Sequence, residues 1–488
     1  MKKVLCVTMA FWMVVCALTV SADSNYEEYI YATNGQSVEA PESYSPVKIL
    51  YGDEETEQVF SAPRDIDVDQ KGNSYILDPG NNRIVVYSRD FSEVHTIRPP
   101  VIGGETVSFA GCAGLFVTEK EIYISDKSTG RFYVLNKNGK GKRIIEFRPL
   151  PVVGDDFIFK PVHFAVDETG IIQVQAEGCF NGLITLDRQG NMLGYYSANS
   201  IQASLSVIAA QFWRKIFSDE QQDSIKQIIP VEYSSLTVDT DGFLYTTTNH
   251  TENSAFEIKK LNPYGDNILG YNDTDDSVKI GNGNYGDQRV YHSLGQDIDT
   301  TFDDIYVDAD RYIFALDTTR GRVFQYDQNS NLICVFGGIG NQRGTFSLPA
   351  AVCGFGEQIY VLDSAKNSLT VFAPNEYVQN IRSAIALDEE CDYAGAAEYW
   401  QKVYEKNMNY SLALSGLGKA ARENGELKTA MEYFKRANDR VNYDIAYAAY
   451  RTVFIREHFI WIGLGFLAVV VAVLAGLNLK KRKGKNEA

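Results

Sequence analysis

The side chains able to do chemistry are few and scattered along the 488 residues. Five are histidines, His95, His163, His250, His292 and His458, and no two fall in an HxxxH or HExxH spacing that would set two imidazoles on one helix face for a metal. The run Asp239-Thr240-Asp241-Gly242 begins like a calcium loop but lacks the later oxygen ligands and the terminal Glu of an EF-hand. An Asp shortly before a Gly is also what a tight β-turn needs. Three charge pairs, Asp78/Arg83, Asp126/Arg131 and Asp317/Arg322, recur at identical spacing. Catalysis needs one asymmetric constellation, not a repeated pair. These residues therefore read as charge pairs or turn hydrogen bonds that fix a repeated unit; the alternative is a ring of arginines that holds an anion. No catalytic residue, metal ligand or cofactor is expected.

The elements that position those pairs repeat. From Pro63 a short apolar strand (Ile66, Val68) meets a turn at Lys71-Gly72-Asn73. A second strand, Tyr75-Ile76-Leu77, ends in Asp78; then come a loop, Arg83 and a third strand to Tyr87. The cadence returns from Gly111, near Phe302 and at Pro349, and in degenerate form over Pro161 to Asp187 and Tyr233 to Asn262. Each copy is a three-stranded meander that cannot bury both faces alone, which radial repetition around a channel solves. The fold class expected is mainly β, a six-bladed β-propeller; a linear β-solenoid is the alternative. Val47 to Gly52 matches Ile333 to Gly338, the segment that precedes the last copy. Residues 47–52 should then form the outer strand of the blade whose inner strands lie at 349–373, closing the ring.

The pattern of Pro, apolar strand, Asp-x-x-Gly-Asn, Tyr-x-x-Asp, Gly/Asn-x-Arg and apolar strand resembles the NHL repeat of six-bladed propellers over roughly residues 47–373; Pro63 to Tyr87 fits it closely. The resemblance implies a fold more than a function, because propellers host unrelated activities. Propeller enzymes of the lactonase type use a Glu/Asn/Asp set around a channel metal, and amidating-lyase propellers use several His with Tyr and Arg. Neither set is recognisable here.

Two insertions break the repeat. Residues 200–229 carry helical spacing (Leu205, Ile208, Phe212, Ile216, Ile225, Ile228), which reads as a helical hairpin on the propeller rim or as a lid. Residues 263–300 are rich in Gly, Asn and Asp. From Tyr377 the period changes to 3.6, and Ser411 to Asp444 resembles a tetratricopeptide unit through Leu417, Gly418, Gly425, Ala430, Phe434 and Ala437. Cys391 to Val403 repeats its second half. So few repeats give at most a shallow groove, and a stalk over residues 376–456 is preferred to a peptide site.

The two ends set the expected compartment. Residues 1–22 read as a signal peptide: Lys2 and Lys3, an apolar stretch, then Val20-Ser21-Ala22 before Asp23. An N-terminal extension, 23–46, follows. Phe459 to Leu479 carries no charge, and at 1.5 Å per residue such a helix spans roughly 30 Å, the bilayer core. Lys480, Lys481, Arg482 and Lys483 open a basic tail, 480–488, that the positive-inside rule places in the cytoplasm. The expected location is the cell membrane, single pass, with the N-terminal ectodomain outside. Cys112, Cys179, Cys334, Cys353 and Cys391 remain after the leader, an odd number without a CxxC; most should be small buried residues, with one disulfide allowed. A formal charge of -17 speaks against nucleic acid as a partner. The function expected is a non-enzymatic, membrane-anchored binding or scaffold protein for a protein, peptide or glycan. The alternative is a propeller enzyme of lactonase or lyase type with a metal in its central channel.

Overall fold

Alternating apolar and polar residues in each copy make antiparallel meanders, because successive side chains point to opposite faces. The computed structural model describes residues 26–486 except 27, 32–36, 54–57, 152, 154–156, 198–231, 249–256, 270–284, 288–290, 294–295 and 299. The leader at 1–22 and the helical insertion at 200–229 therefore lie outside the described residues.

Six sheets follow one another, and in all but the last the strands lie in sequence order from the inside outwards. Blade 1 runs Asp65–Val68, Ser74–Asp78, Arg83–Tyr87 and Val94–Ile97. Blade 2 runs Cys112–Val117, Glu121–Asp126, Arg131–Asn136 and Gly141–Glu146. Blade 3 runs Pro161–Val166, Ile172–Ala176, Leu183–Leu186 and Met192–Tyr196. Blade 4 has three strands among the described residues, Tyr233–Val238, Leu244–Thr248 and Ile258–Leu261. Blade 5 runs Phe302–Val307, Ile313–Asp317, Arg322–Tyr326 and Leu332–Phe336. Blade 6 takes Pro349–Phe355, Gln358–Asp363 and Ser368–Pro374 from the end of the repeat. Its outer strand, Tyr44–Leu50, comes from the start of the chain and pairs antiparallel with Ser368–Pro374, Ile49 opposite Thr370 and Leu50 opposite Leu369. The closing strand thus begins at Tyr44, ahead of the expected 47, and Gly52 belongs to a separate two-residue ribbon, Gly52–Asp53 with Gln58–Val59.

The six inner strands touch their neighbours around a closed ring, the sixth meeting the first. Apolar clusters fill the space between successive blades. Leu77, Ile84 and Val86 of blade 1 pack with Leu115, Ile122 and Ile124 of blade 2. Ile66, Ile76 and Val85 pack with Tyr360, Leu362 and Val371 of blade 6. Each such side chain contributes about 1.5–3 kcal/mol by leaving water, so the ring is held by blade-to-blade burial more than by the strand pairs themselves. Asp239 to Gly242 is a turn: the Asp239 carbonyl accepts from Gly242 N–H at 3.1 Å, and Asp239 Oδ1 accepts from the N–H groups of Asp241 and Phe243 at 3.0 and 2.8 Å.

The second compact unit comprises Tyr31–Pro41 and the C-terminal region, whose five helices are α1 (Glu376–Glu389), α2 (Tyr393–Lys406), α3 (Ser411–Glu423), α4 (Leu427–Ala437) and α5 (Arg440–Asn486). Each packs on the next. Asp392 caps α2 by accepting from Gly395 N–H at 2.9 Å. Gly418 is a contact point for α4: a Cβ there would sit 2.6 Å from the Phe434 ring, so only glycine lets the two helices approach this closely. Leu417, Ala430, Phe434 and Ala437 are buried around it, and Gly425 makes the α3–α4 turn. Helix α5 runs unbroken from the helical unit through the apolar stretch. Over Arg440–Leu477 it is long and apolar enough to cross a membrane, and Phe459, Trp461 and Phe466 are exposed on it. Lys480, Lys481, Arg482 and Lys483 fall within its backbone; their side chains lie outside the described residues.

Candidate functional site

The repeated charge pairs sit where the second strand of a blade turns into the third. Strand register places Asp78 opposite Arg83, Asp126 opposite Arg131 and Asp317 opposite Arg322. In blade 1 both side chains are 0% exposed and Arg83 Nε meets Asp78 Oδ2 at 2.7 Å. The rest of the Arg83 guanidinium donates to Gln58 and to the Val59 carbonyl, tying down the segment before the inner strand. In blade 5 Arg322 meets Asp317 at 2.5 Å and Asp287 at 2.8 Å. Blade 2 departs from the expected pairing. Asp126 is taken by the Tyr133 hydroxyl at 2.6 Å and by Ser128 and Thr129, and Arg131 turns outward to Glu105 and Glu146 at 3.0 and 3.1 Å. The cause is local: the positions equivalent to Tyr133 hold Val85 in blade 1 and Phe324 in blade 5, which offer no hydroxyl. These residues belong to blades 1, 2 and 5, in each case at the turn from the second strand to the third.

The residues that do converge carry no motif in the sequence. In blades 2 to 6 the inner strand has a bulge or irregular step near its start. The place two residues after the opening one is then equivalent from blade to blade. In blades 1 to 6 that place is held by Asp65, Gly114, His163, Ser235, Asp304 and Ala351. Asp304 is the hub. Its Oδ1 accepts from Ser235 Oγ at 2.7 Å and its Oδ2 from the backbone N–H of Val352 in blade 6 at 2.7 Å. His163 Nδ1 stands 4.0 Å from Oδ1, beyond hydrogen-bond range. Asp65 accepts from Leu115 N–H of blade 2 at 2.6 Å, and Asp67, two residues further along the strand, from Val117 N–H at 2.6 Å. An inner strand is an open sheet edge with unpaired N–H groups facing the next blade. These carboxylates supply the missing acceptors and fasten one blade to the next. The only sequence signal is positional: Asp65, His163 and Asp304 each follow the opening residue of their repeat (Pro63, Pro161, Phe302) by two. His163 matches two aspartates in this way, a match that the spacing of the histidines themselves conceals.

Burial dominates the electrostatics of this cluster. It pushes Asp304 above the usual carboxylate range, against the pull of His163, and pushes Asp65 well above it, with the Asp304 charge adding to the effect. Asp303, beside the hub and hydrogen-bonded by Thr318, is raised by burial as well. Asp67 is raised by burial from 3.8 to about 7, although the N–H groups of Val117 and Val68 and the Lys137 charge oppose the shift. A folded-state value above the unfolded one means the folded chain holds the proton more tightly. That stabilisation is fully present below about pH 4 and is lost as pH rises towards 7. Asp67→Asn keeps an oxygen for Val117 and removes the charge. It is expected to raise stability near pH 8 by on the order of 1–2 kcal/mol and to leave it unchanged near pH 4. Thermal unfolding at both pH values checks this, and an equal shift at the two would count against it.

Chemically, the hub offers a hydroxyl, an imidazole and carboxyl groups, drawn from four blades around one spot. Among the described residues, no three His, Cys, Asp or Glu side chains are close enough to hold a metal ion. In the helical unit, polar side chains join alternate helices, Lys419 to Asp388 at 3.0 Å and Arg422 to Asn442 at 2.9 Å, and Ser415 holds Asp439, just ahead of α5, at 2.5 Å.

No protein-family model matches the chain, and no curated protein matches its sequence. Solved structures do resemble it. Virginiamycin B lyase from Staphylococcus aureus is 15% identical with a TM-score of 0.39, over 68% of this chain and 99% of that one. A protein of unknown function from Bacteroides thetaiotaomicron is 14% identical with a TM-score of 0.43, over 70% and 80%. A protein assigned as a gluconolactonase is 11% identical with a TM-score of 0.38, over 69% and 94%. At such identities the likeness concerns the fold and carries no function across. By its own strand order the chain is a six-bladed β-propeller, followed by a helical region with one long apolar helix.

Proposed function

We propose that this is a membrane-anchored, extracytoplasmic binding protein whose NHL-type propeller is carried on a tetratricopeptide-like stalk and presented to a protein, peptide or glycan partner. The supporting observation is how the channel carboxylates are employed: Asp65, Asp67 and Asp304 each accept a backbone N–H from the neighbouring blade, which is the work of a frame. Cross-linking in intact membranes followed by pull-down from mild detergent should recover the same partner in repeated preparations. Recovery of nothing reproducible would sink the reading. A protease-protected C-terminal tag, with the propeller cleavable from outside, is the expected topology.

A propeller enzyme of lactonase or lyase type is the second reading. What favours it is the convergence of His163, Ser235 and Asp304 from three different blades. A stoichiometric metal in the purified protein that is lost in Asp304→Asn would replace the first reading with this one.

A further inference from the structure

Away from the channel, a cleft of about 580 Å³ opens between the second and third blades. Its volume falls within the range of roughly 300–1,000 Å³ typical of small-molecule sites. One wall is apolar: the Phe147 and Phe159 rings stack at 4.1 Å, and Ile158 stands at the lip with 71% of its surface exposed. The other side is cationic. Lys127 and Lys160 both reach the single carboxylate of Glu177, Lys160 at 3.2 Å, so two ammonium groups share one counter-charge. Glu232, the next acidic group, accepts from the Gly178 N–H at 2.8 Å and the Gln175 amide at 3.3 Å, and Lys127 is near enough to act on its charge. Between the walls, Ser128 and Thr129 spend their hydroxyl protons on Asp126, at 2.6 and 2.8 Å, and can offer only lone pairs to a ligand.

We infer that this cleft binds a small organic anion: an aromatic or short aliphatic body carrying a carboxylate and one hydrogen-bond donor. The body lies on Phe147, Phe159 and Ile158, the carboxylate displaces part of the Glu177 contact at the two lysines, and the donor meets the Ser128 or Thr129 oxygen. Each partner covers a need the cleft leaves open: apolar surface in water, ammonium N–H donors that one Glu177 carboxylate does not exhaust, and acceptors without a proton. Such a ligand belongs to the propeller as a binding body and so rests on the reading proposed above.

The probe is N-(4-trifluoromethylbenzoyl)glycine, followed by fluorine NMR on the full chain in nanodiscs of zwitterionic lipid, with empty nanodiscs as reference. Saturable binding is expected, weakened about tenfold or more when the probe is the matching glycinamide, and by a similar factor in Lys127→Ala/Lys160→Ala. Ile158→Asp, at an exposed lip position that folding does not depend on, should weaken it too. The inference is overturned if no saturable binding occurs at millimolar probe, if the glycinamide binds equally, or if the double lysine variant binds unchanged. A partner recovered in the pull-down while the probe fails to bind would remove this inference and leave the binding-protein reading standing.

Discussion

Arg83→Leu is expected to cost about 3–5 kcal/mol, a large share of the stability of an ordinary folded domain. The mutation strands the Asp78 carboxylate, itself 0% exposed, with only the Ser61 N–H at 2.8 Å and the Asn81 amide at 2.8 Å for company. It also takes donors at 2.9 and 3.0 Å away from the carbonyls of Gln58 and Val59. Asp78→Leu combined with Arg83→Leu should cost clearly less than the sum of the two single changes, because no buried charge is left alone. Arg131→Ala provides the contrast. Its partners Glu105 and Glu146 are more than half exposed, so the loss should stay within about 1 kcal/mol. Denaturant unfolding followed by circular dichroism reads all of these variants. An Arg131 effect as large as that of Arg83 would mean that burial does not set the cost of losing these arginines.

Phe434→Ala should cost a similar amount, about 3–5 kcal/mol, in the helical unit. Phe434 is fully buried, fills the space that Gly418 leaves open and packs with Ala421, Ala430 and Ala446. A unit of this size has little apolar area in reserve. Hydrogen exchange of the α3 and α4 amides should accelerate strongly while amides of the propeller's middle strands keep their protection. Gly418→Val, which drives a side chain into the same ring, should give the same pattern by overpacking. Unchanged exchange in both variants would mean that this contact does not hold the unit together.

The propeller was legible because each blade writes the same local cadence into the sequence: turn residues, apolar alternation and the Asp that ends the second strand. Ring closure was legible for the same reason, since Val47 to Gly52 repeats a segment found again at Ile333 to Gly338. The exact extent of the closing strand was not, because Tyr44 and Ser45 join it through pairing with Pro374 and Ala373, remote in sequence. The Asp126/Arg131 pair shows the limit of reading by repetition: one hydroxyl, that of Tyr133, redirects both partners. The channel cluster was hidden more thoroughly. It is built from one residue per blade, and its members differ in type, so no motif announces them. Beyond a shared offset of two from the start of each repeat, it is the strand register that shows that His163, Ser235 and Asp304 occupy equivalent places.

The strand Tyr44–Leu50 also sets a timetable for biogenesis. It is synthesised early, yet its partner, Ser368–Pro374, is made more than three hundred residues later. At roughly 5–20 residues per second the early strand waits on the order of tens of seconds as an unpaired edge. By then the next segment to be made is the helical unit and, soon after, the long apolar helix. Completion of the last blade and arrival of that helix therefore fall close together in time. A holding factor that shields the waiting edge, or a slow-folding population that accumulates when synthesis is fast, is the consequence to look for in cells.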